Sequence, residues 1–389
     1  MSTLVRRSNL FWRGYAGVMS ALALVMSALL VCTNAPVEAR EHPAKIQGRQ
    51  ARNVILFLGD AGGLPTLSAA SIYAHDRPQS LFIQSMPYVA LSDTSALDSW
   101  VTDSAAGMTA IVTGHKTNNG MSSVIPSTNG TVTPVKTVLE YAEERGLSTG
   151  VITNMPIWDA TPAACYAHVA KRSDKDEIFR QLLAPRYGDG VDILIGKDRD
   201  AAEAAFTRTG RTAAETFAGS GYLFGDDPSV LTPKTRRAAI LRDEDYAPIP
   251  AVEATISSLS RNPKGYFLMV EWDMHTNDLK KGLTHAVEMD NLIRRVSEVV
   301  GEDTLILFVA DHSYDLKLRS GKRGQPLADQ IAADNPDQPK VVAADAKGAH
   351  AGEEVVAVAM GPGADSVRGF FSNTQLFNIM MAAFGWKPN

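Results

Sequence analysis

The sequence predicts an α/β fold: a three-layer sandwich built on a largely parallel central sheet. Three observations lead there. Six short apolar runs are continuous rather than alternating, which is how strands buried on both faces read. Helical patterns lie between them, as two covering layers require. Nearly every run also ends in a carboxylate or an imidazole, at the strand edge where open α/β sheets bind ligands.

Residues 1–39 stand apart from this pattern. Arg6, Arg7 and Arg13 precede an uncharged stretch over 14–37, and Val37-Glu38-Ala39 offers small residues at the spacing a signal peptidase reads. The expectation is a signal peptide over 1–39, cleaved near Ala39, with a periplasmic or secreted product. The uncharged stretch is long enough to span a bilayer, so an uncleaved anchor acting as a membrane tether is the alternative. Arg6-Arg7 hints at a twin-arginine leader, and Leu29-Leu30-Val31-Cys32 at lipidation, although Val31 stands where a small residue is needed. Residues 40–389 show no repeat, low-complexity tract or linker and read as a single domain. Losing Cys32 with the leader leaves Cys165 without a disulfide partner. A chain with 45% hydrophobic residues over this length has core enough to do without cross-links. A net charge of -5 argues against nucleic acid as a partner, which would need a basic face to displace counterions.

The elements follow in order. The run 53–58 leads into Gly59-Asp60-Ala61-Gly62-Gly63. The small residues of 105–113 suit a tightly packed helix and put Ser104 at its N-terminus, where backbone N–H groups and the helix dipole favour an anion. From these residues alone, the favoured reading is the plainer one, in which Ser104 or Thr102 simply caps that helix. Residues 135–145 form a helical pattern closed by Gly146, and 149–154 and 191–195 read as further strands. Residues 197–251, rich in charge and small side chains, look like a surface addition. The run 266–270 leads into Glu271-Trp272-Asp273-Met274-His275, residues 286–300 are helical, and 304–310 leads into Asp311-His312. The polar course of 313–348 suggests a loop over the site. Its Lys317, Arg319, Lys322 and Arg323 form either a solvated basic face or an attractor of anionic substrates. His350-Ala351-Gly352 precedes the last strand, 355–360. Carboxylates and imidazoles converging on one edge are the donors that Zn²⁺ and Mg²⁺ take.

Taken together, these motifs resemble those of the alkaline phosphatases from Asn53 to about Gly363. Thr102-Asp103-Ser104-Ala105-Ala106, followed by Thr113-Gly114 and Lys116-Thr117, is similar to the family's nucleophile segment. Asp60 matches the carboxylate bridging a Zn²⁺ and an Mg²⁺ site. Asp159-Ala160-Thr161-Pro162-Ala163-Ala164 resembles the segment whose Thr binds Mg²⁺ and whose Asp lies just outside it. Arg172 matches the arginine that clamps two phosphate oxygens, a role its planar fork suits. Ala310-Asp311-His312 resembles the pair completing the second zinc site, and His350-Ala351-Gly352-Glu353 the segment whose His holds the first.

The chain departs from the family after Glu271. Family members usually carry an Asp five residues beyond the Glu and a His four beyond that, whereas Glu271-Trp272-Asp273-Met274-His275 is too short. Counted forward from the strand, Glu271 is the magnesium ligand; counted back from Met289-Asp290, His275 is the zinc His and Glu271 the Asp. Glu271 on Mg²⁺ with Asp273 and His275 on the first zinc fills the most positions, and Asn277 or Asp278 are substitutes. A second departure is Ser313-Tyr314, where a Gly pair usually follows the His.

The resemblance implies two Zn²⁺, one Mg²⁺, an alkaline-phosphatase-like fold, a homodimer, and hydrolysis of small phosphate monoesters through a phosphoserine at Ser104. Phosphodiesters, phosphonates or sulfate esters are the competing substrates, though Arg172 with three metal sites favours monoesters. A metal- or phosphate-binding protein that has lost turnover through the shortened loop is the competing class. A tethered structural component would leave the ordered motifs without explanation.

Overall fold

The protein is described by a computed structural model covering residues 50–208, 210–331 and 344–387. The expected leader or anchor over 1–39 lies outside the described residues. Among the described residues, no helix is long and apolar enough to cross a membrane.

Ten strands, numbered along the chain, form the central sheet. In spatial order they are β14 (Gly369–Ser372), β2 (Tyr88–Asp93), β13 (Val355–Met360), β10 (Thr304–Ala310), β1 (Asn53–Asp60), β9 (Tyr266–Asp273), β5 (Ser148–Pro156), β6 (Ile193–Lys197), β8 (Ala238–Arg242) and β7 (Leu223–Gly225). Among the described residues, two two-stranded sheets stand outside it: β3 (Val124–Pro126) with β4 (Val132–Pro134), and β11 (Ser313–Leu318) with β12 (Ala344–Ala351). All pairings in the main sheet are parallel except those of β13, which runs against both β10 and β2.

The continuous apolar runs are explained by what covers them. On β1, Val54, Leu56 and Leu58 enter one core with Met108, Ile111, Leu139 and Phe377 from the helices Ser104–Thr113, Val138–Glu144 and Thr374–Ala383. Ile55 and Phe57 point the other way, into a second core with Leu67, Val252, Leu283 and Ile293 from the helices Leu64–His75, Pro248–Leu259 and Leu279–Val299. Successive side chains alternate faces, so a strand between two helical layers must be apolar at every position. Each of these fully buried side chains contributes about 1.5–3 kcal/mol relative to exposure.

Four expectations are corrected in detail. Residues 197–251 are not a surface addition: they carry β8 and β7, which extend the sheet past β6, and the helices Arg199–Thr207 and Ala213–Gly219. Their charge belongs to amphipathic helices that bury Ala202, Phe206, Ala213 and Phe217, and β8 adds the buried run 238–241. The helix expected at 135–145 spans Val138–Glu144, because Thr137 and Glu140 form a capping box that sets its start. The helix expected at 286–300 begins at Leu279, where the Asp278 carboxylate caps it. The expected loop over 313–348 opens as strand β11, paired antiparallel with β12.

Candidate active site and metal centre

The sheet's register assembles the site. Asp60 lies opposite Asp273, Leu58 opposite Glu271, and Thr153 opposite Glu271 on the far side of β9. Gly59 lies opposite Ala310, so Asp60 and Asp311 leave adjacent strands together. Because β13 is antiparallel, the segment that precedes it, carrying His350, reaches the edge that the parallel strands' carboxyl ends occupy. Glu271 and Asp273 share a face of β9, while Trp272 points into the opposite core, where its Nε1–H donates to Glu288 at 2.9 Å. The turn after β1 is tight: Ala61 has φ 61° and donates its N–H to Asp311 Oδ1 at 3.3 Å. Gly63 is required there, since a Cβ at that position would lie 2.3 Å from Ser313 Oγ.

Three overlapping groups of donor atoms converge at this edge: His275, His312 and His350; Asp60, Asp273 and His275; and Asp60, Asp311 and His312. His312 Nε2 lies 3.4 Å from Asp60 Oδ1 and 3.6 Å from Asp311 Oδ2, and His275 Nε2 lies 3.3 Å from His350 Nε2. The second ring nitrogens fix the tautomers. His312 Nδ1 faces the Ser313 carbonyl at 3.1 Å and His350 Nδ1 faces the Thr102 carbonyl at 3.0 Å. Carbonyls only accept, so both Nδ1 atoms carry the hydrogen, and both Nε2 atoms face inward. His275 is oriented by Asp273, whose Oδ1 lies 2.6 Å from its Nδ1, and Tyr314 packs edge-on against it at 4.9 Å between ring centres.

Ser104 is the first residue of its helix, and its buried hydroxyl lies 3.4 Å from His312 Nε2. It is not the cap, and neither is Thr102, whose hydroxyl bonds the Asp103 carbonyl. Asp103 is the cap: its Oδ1 accepts from the Ala106 N–H at 3.0 Å, and its Oδ2 accepts from Gly120 N–H at 3.0 Å and Arg172 Nη1 at 3.2 Å. Asp103 sits two residues before the expected helix 105–113, so a cap signal for it was present in the sequence. Arg172 is held between Asp103 and Asp159, the latter 3.3 Å from its Nη2. Burial opposes its charge, but Asp159 and Asp103 outweigh that and hold the guanidinium firmly protonated.

A separate all-oxygen corner joins the centre through Glu271. Its carboxylate accepts from the Thr153 hydroxyl, and the fully buried Thr161 lies beside it. Thr153 was not singled out by sequence reading; its position opposite Glu271 follows only from strand register.

The electrostatics identify what this edge is built to hold. Asp60 Oδ1, Asp311 Oδ2, Glu271 Oε1 and Thr161 Oγ1 are buried with no hydrogen-bond partner. Unpaired buried oxygens of this kind are costly unless a cation satisfies them. Burial, then the charges of Asp311 and Glu271, push the Asp60 carboxyl well above its ordinary range. Burial and then Asp159 do the same to Glu271, and burial raises Asp311 to about 6. Burial, His350 and His275 hold His312 neutral. Nitrogen and carboxylate donors without thiolate fit Zn²⁺, and the Glu271–Thr161 corner fits Mg²⁺.

All the expected site residues, Asp60, Ser104, Asp159, Thr161, Arg172, Glu271, Asp273, His275, Asp311, His312 and His350, meet at this one edge. Asn277 and Asp278 do not join them: both are exposed, and Asp278 accepts from the Lys281 N–H. The Ser313-Tyr314 departure places Tyr314 on the His275 ring. Sequence reading missed Asn154 and His285, which bond the backbone of Asp273.

The alkaline phosphatase family model matches residues 51–195 and 231–343. The tissue-nonspecific alkaline phosphatase isozyme of Felis catus is 31% identical over 342 residues, 69% of this chain and 64% of the relative's own length. Alkaline phosphatase 4 of Bacillus subtilis (strain 168) is 27% identical over 415 residues, 85% of this chain and 88% of that protein. The solved alkaline phosphatase of the Antarctic bacterium TAB5 shares the fold, with a TM-score of 0.73 over 87% of this chain and 100% of that one at 22% identity. A mutant of the TAB5 enzyme holds Mg in its M3 site.

Proposed function

The chain belongs to the alkaline phosphatase family, and from that premise we propose that it is a metal-dependent phosphate monoesterase whose nucleophile is Ser104. The observation that carries this reading is the Ser104 hydroxyl, buried at a helix N-terminus and 3.4 Å from an inward-facing His312 Nε2. On this reading Asp60, Asp311 and His312 hold one Zn²⁺, Asp273, His275 and His350 a second, and Asp60, Thr161 and Glu271 an Mg²⁺ near Asp159. When bound, these ions supply Lewis-acid polarisation and lower the pKa of the hydroxyl and water that attack phosphorus.

The chain's own residues do the rest. Ser104 Oγ attacks phosphorus in line as its proton passes to solvent, the phosphorus–oxygen bond to the alcohol breaks, the departing alkoxide takes a proton from solvent, and a phosphoserine forms. Water then cleaves that ester and returns the serine. The free N–H groups of the first helical turn lie beside Ser104 and favour the anionic phosphoryl group. Arg172 neutralises two equatorial oxygens as charge redistributes. Asp103 and Asp159 set the plane of its guanidinium before substrate arrives.

Small phosphate monoesters suit this arrangement better than diesters, because Arg172 and the ions together match a doubly charged terminal phosphoryl group. The same proposal takes residues 1–39 as a signal or tether, 40–389 as one exported domain in the periplasm or medium, and the protein as a homodimer, as the family resemblance implies. Rates on an aryl phosphate monoester and the matching diester, before and after chelation, test the activity. Monoester turnover that collapses on chelation and returns with Zn²⁺ and Mg²⁺ is expected; faster diester turnover, or full activity without metal, overturns it.

A further inference from the structure

The segment from the end of β9 to the helix Leu279–Val299 departs from the family pattern, and the last residue of β9, Asp273, is held by contacts that lie outside the metal centre. The β5–β9 ladder ends at Thr153 opposite Glu271, so strand pairing no longer fixes Asp273 on that side. Two side chains take over. The Asp273 N–H donates to Asn154 Oδ1 at 2.8 Å, and the Asp273 carbonyl accepts from His285 Nδ1 at 2.6 Å. The two side chains also meet each other, Asn154 Nδ2 lying 3.3 Å from His285 Nδ1.

We infer that Asn154 and His285 are positioning residues that together hold the N–H and the carbonyl of Asp273 and thereby fix its carboxylate, and His275 beside it, for the first zinc. This rests on the reading of Asp273 and His275 as ligands of that ion. The remaining contacts leave the clamp as the adjustable part. The Met274 N–H donates to the Asp60 carbonyl at 2.8 Å, and a Cβ at Gly282 would lie 2.4 Å from the His275 carbonyl, so the turn is already pressed against its helix. The Asp273 carboxylate in turn accepts from the His275 N–H at 3.1 Å and faces its Nδ1 at 2.6 Å. A shift of the Asp273 backbone therefore moves both donors together. In a short connection there are few other torsions to absorb such a shift, and hydrogen-bonded partners of metal ligands typically govern affinity for that reason. His285 lies on the second turn of a helix whose Leu283, Ala286, Met289 and Ile293 are buried in the core, so its ring is carried by a rigid element.

The experiment follows zinc release from the loaded protein into a chelator, together with total zinc per chain, for His285→Ala, His285→Asn, Asn154→Ala and Asp273→Asn. An asparagine amide can place a donor near the Nδ1 position, so His285→Asn is the conservative variant. The expected result is that His285→Ala and Asn154→Ala each speed release of one zinc of the two by about tenfold, the other being unchanged, while His285→Asn stays within about threefold of the parent. Asp273→Asn should lose that same zinc outright. If His285→Ala and Asn154→Ala release both ions at the parent rate while Asp273→Asn loses one, the clamp is wrong and the ligand assignment survives. If Asp273→Asn retains both ions at parent affinity, the ligand assignment itself falls. Equal weakening of both zincs in the two alanine variants would reduce them to general packing residues and overturn the inference.

Discussion

Ser104 takes its meaning from Asp103. A serine at the start of a helix is ambiguous in sequence, because capping and nucleophilic roles want the same position. Here the cap is the preceding aspartate, which leaves the Ser104 hydroxyl uncommitted to the backbone and pointed at His312. The same aspartate fixes Arg172 through its other oxygen, so capping and phosphate recognition are coupled. Replacing Arg172 with Lys keeps the charge but removes the planar fork. Competitive inhibition by inorganic phosphate should weaken by about tenfold, read as Ki, with metal content unchanged. Unchanged inhibition would remove Arg172 from phosphate recognition. At this scale Asp60, Glu271, Asp273, His275, Asp311 and His312 were legible because they follow apolar runs, and His350 because it precedes one; Asn154, Thr153 and His285 were not, since neutral or lone polar residues carry no signal until register places them.

Elements explain why a family-sized gap in the connection after Glu271 is tolerated. β9 runs to Asp273, two residues beyond Glu271, so strand periodicity alone puts both carboxylates on the site face, and His275 follows in the turn. That outcome could not be decided by counting residues, because forward and backward counts disagree until the strand's end is known. β13 supplies the complementary lesson: its apolar run was evident, but its antiparallel direction, which brings His350 to the correct edge, resides in pairing rather than composition. The strands β8 and β7 were hidden for a related reason, being short and set among charged helices. Gly63 offers a test of local geometry. Gly63→Ala drives a methyl into Ser313 Oγ, 2.3 Å away, and should destabilise by about 1–3 kcal/mol in a urea titration. Gly219→Ala, where nothing lies within 4 Å and φ is not positive, should be neutral or slightly stabilising, since alanine is the better helix former. If the two glycines respond alike, the tight apposition of the β1 turn and β11 is misdescribed.

At the scale of the whole molecule, the sheet gathers negative charge at one buried edge and relies on cations to make it stable. The carboxyls of Asp60 and Glu271 are pushed up by burial and by one another's neighbours, and burial lifts Asp311 to about 6. A carboxyl with a raised folded pKa contributes full stability below its unfolded value, about 3.9 for Asp, and loses it as pH rises through the folded value. Metal-free protein should therefore lose thermal stability between about pH 4 and pH 7. His312, held neutral by burial, works the other way with one proton against three carboxyls. Glu143 and Asp192, raised by burial away from the centre, act with or without metal, so the loaded-minus-stripped difference in Tm isolates the cluster. That difference should widen with pH; a constant difference would mean the carboxylates are not metal ligands. The most direct test of the central claim is mass spectrometry of the metal-loaded protein, acid-quenched during turnover of a phosphate monoester. The account predicts one phosphoryl group on the peptide containing Ser104 and none in Ser104→Ala with its metals retained. Steady-state turnover without phosphate on Ser104, or the same covalent phosphate persisting in Ser104→Ala, would contradict it.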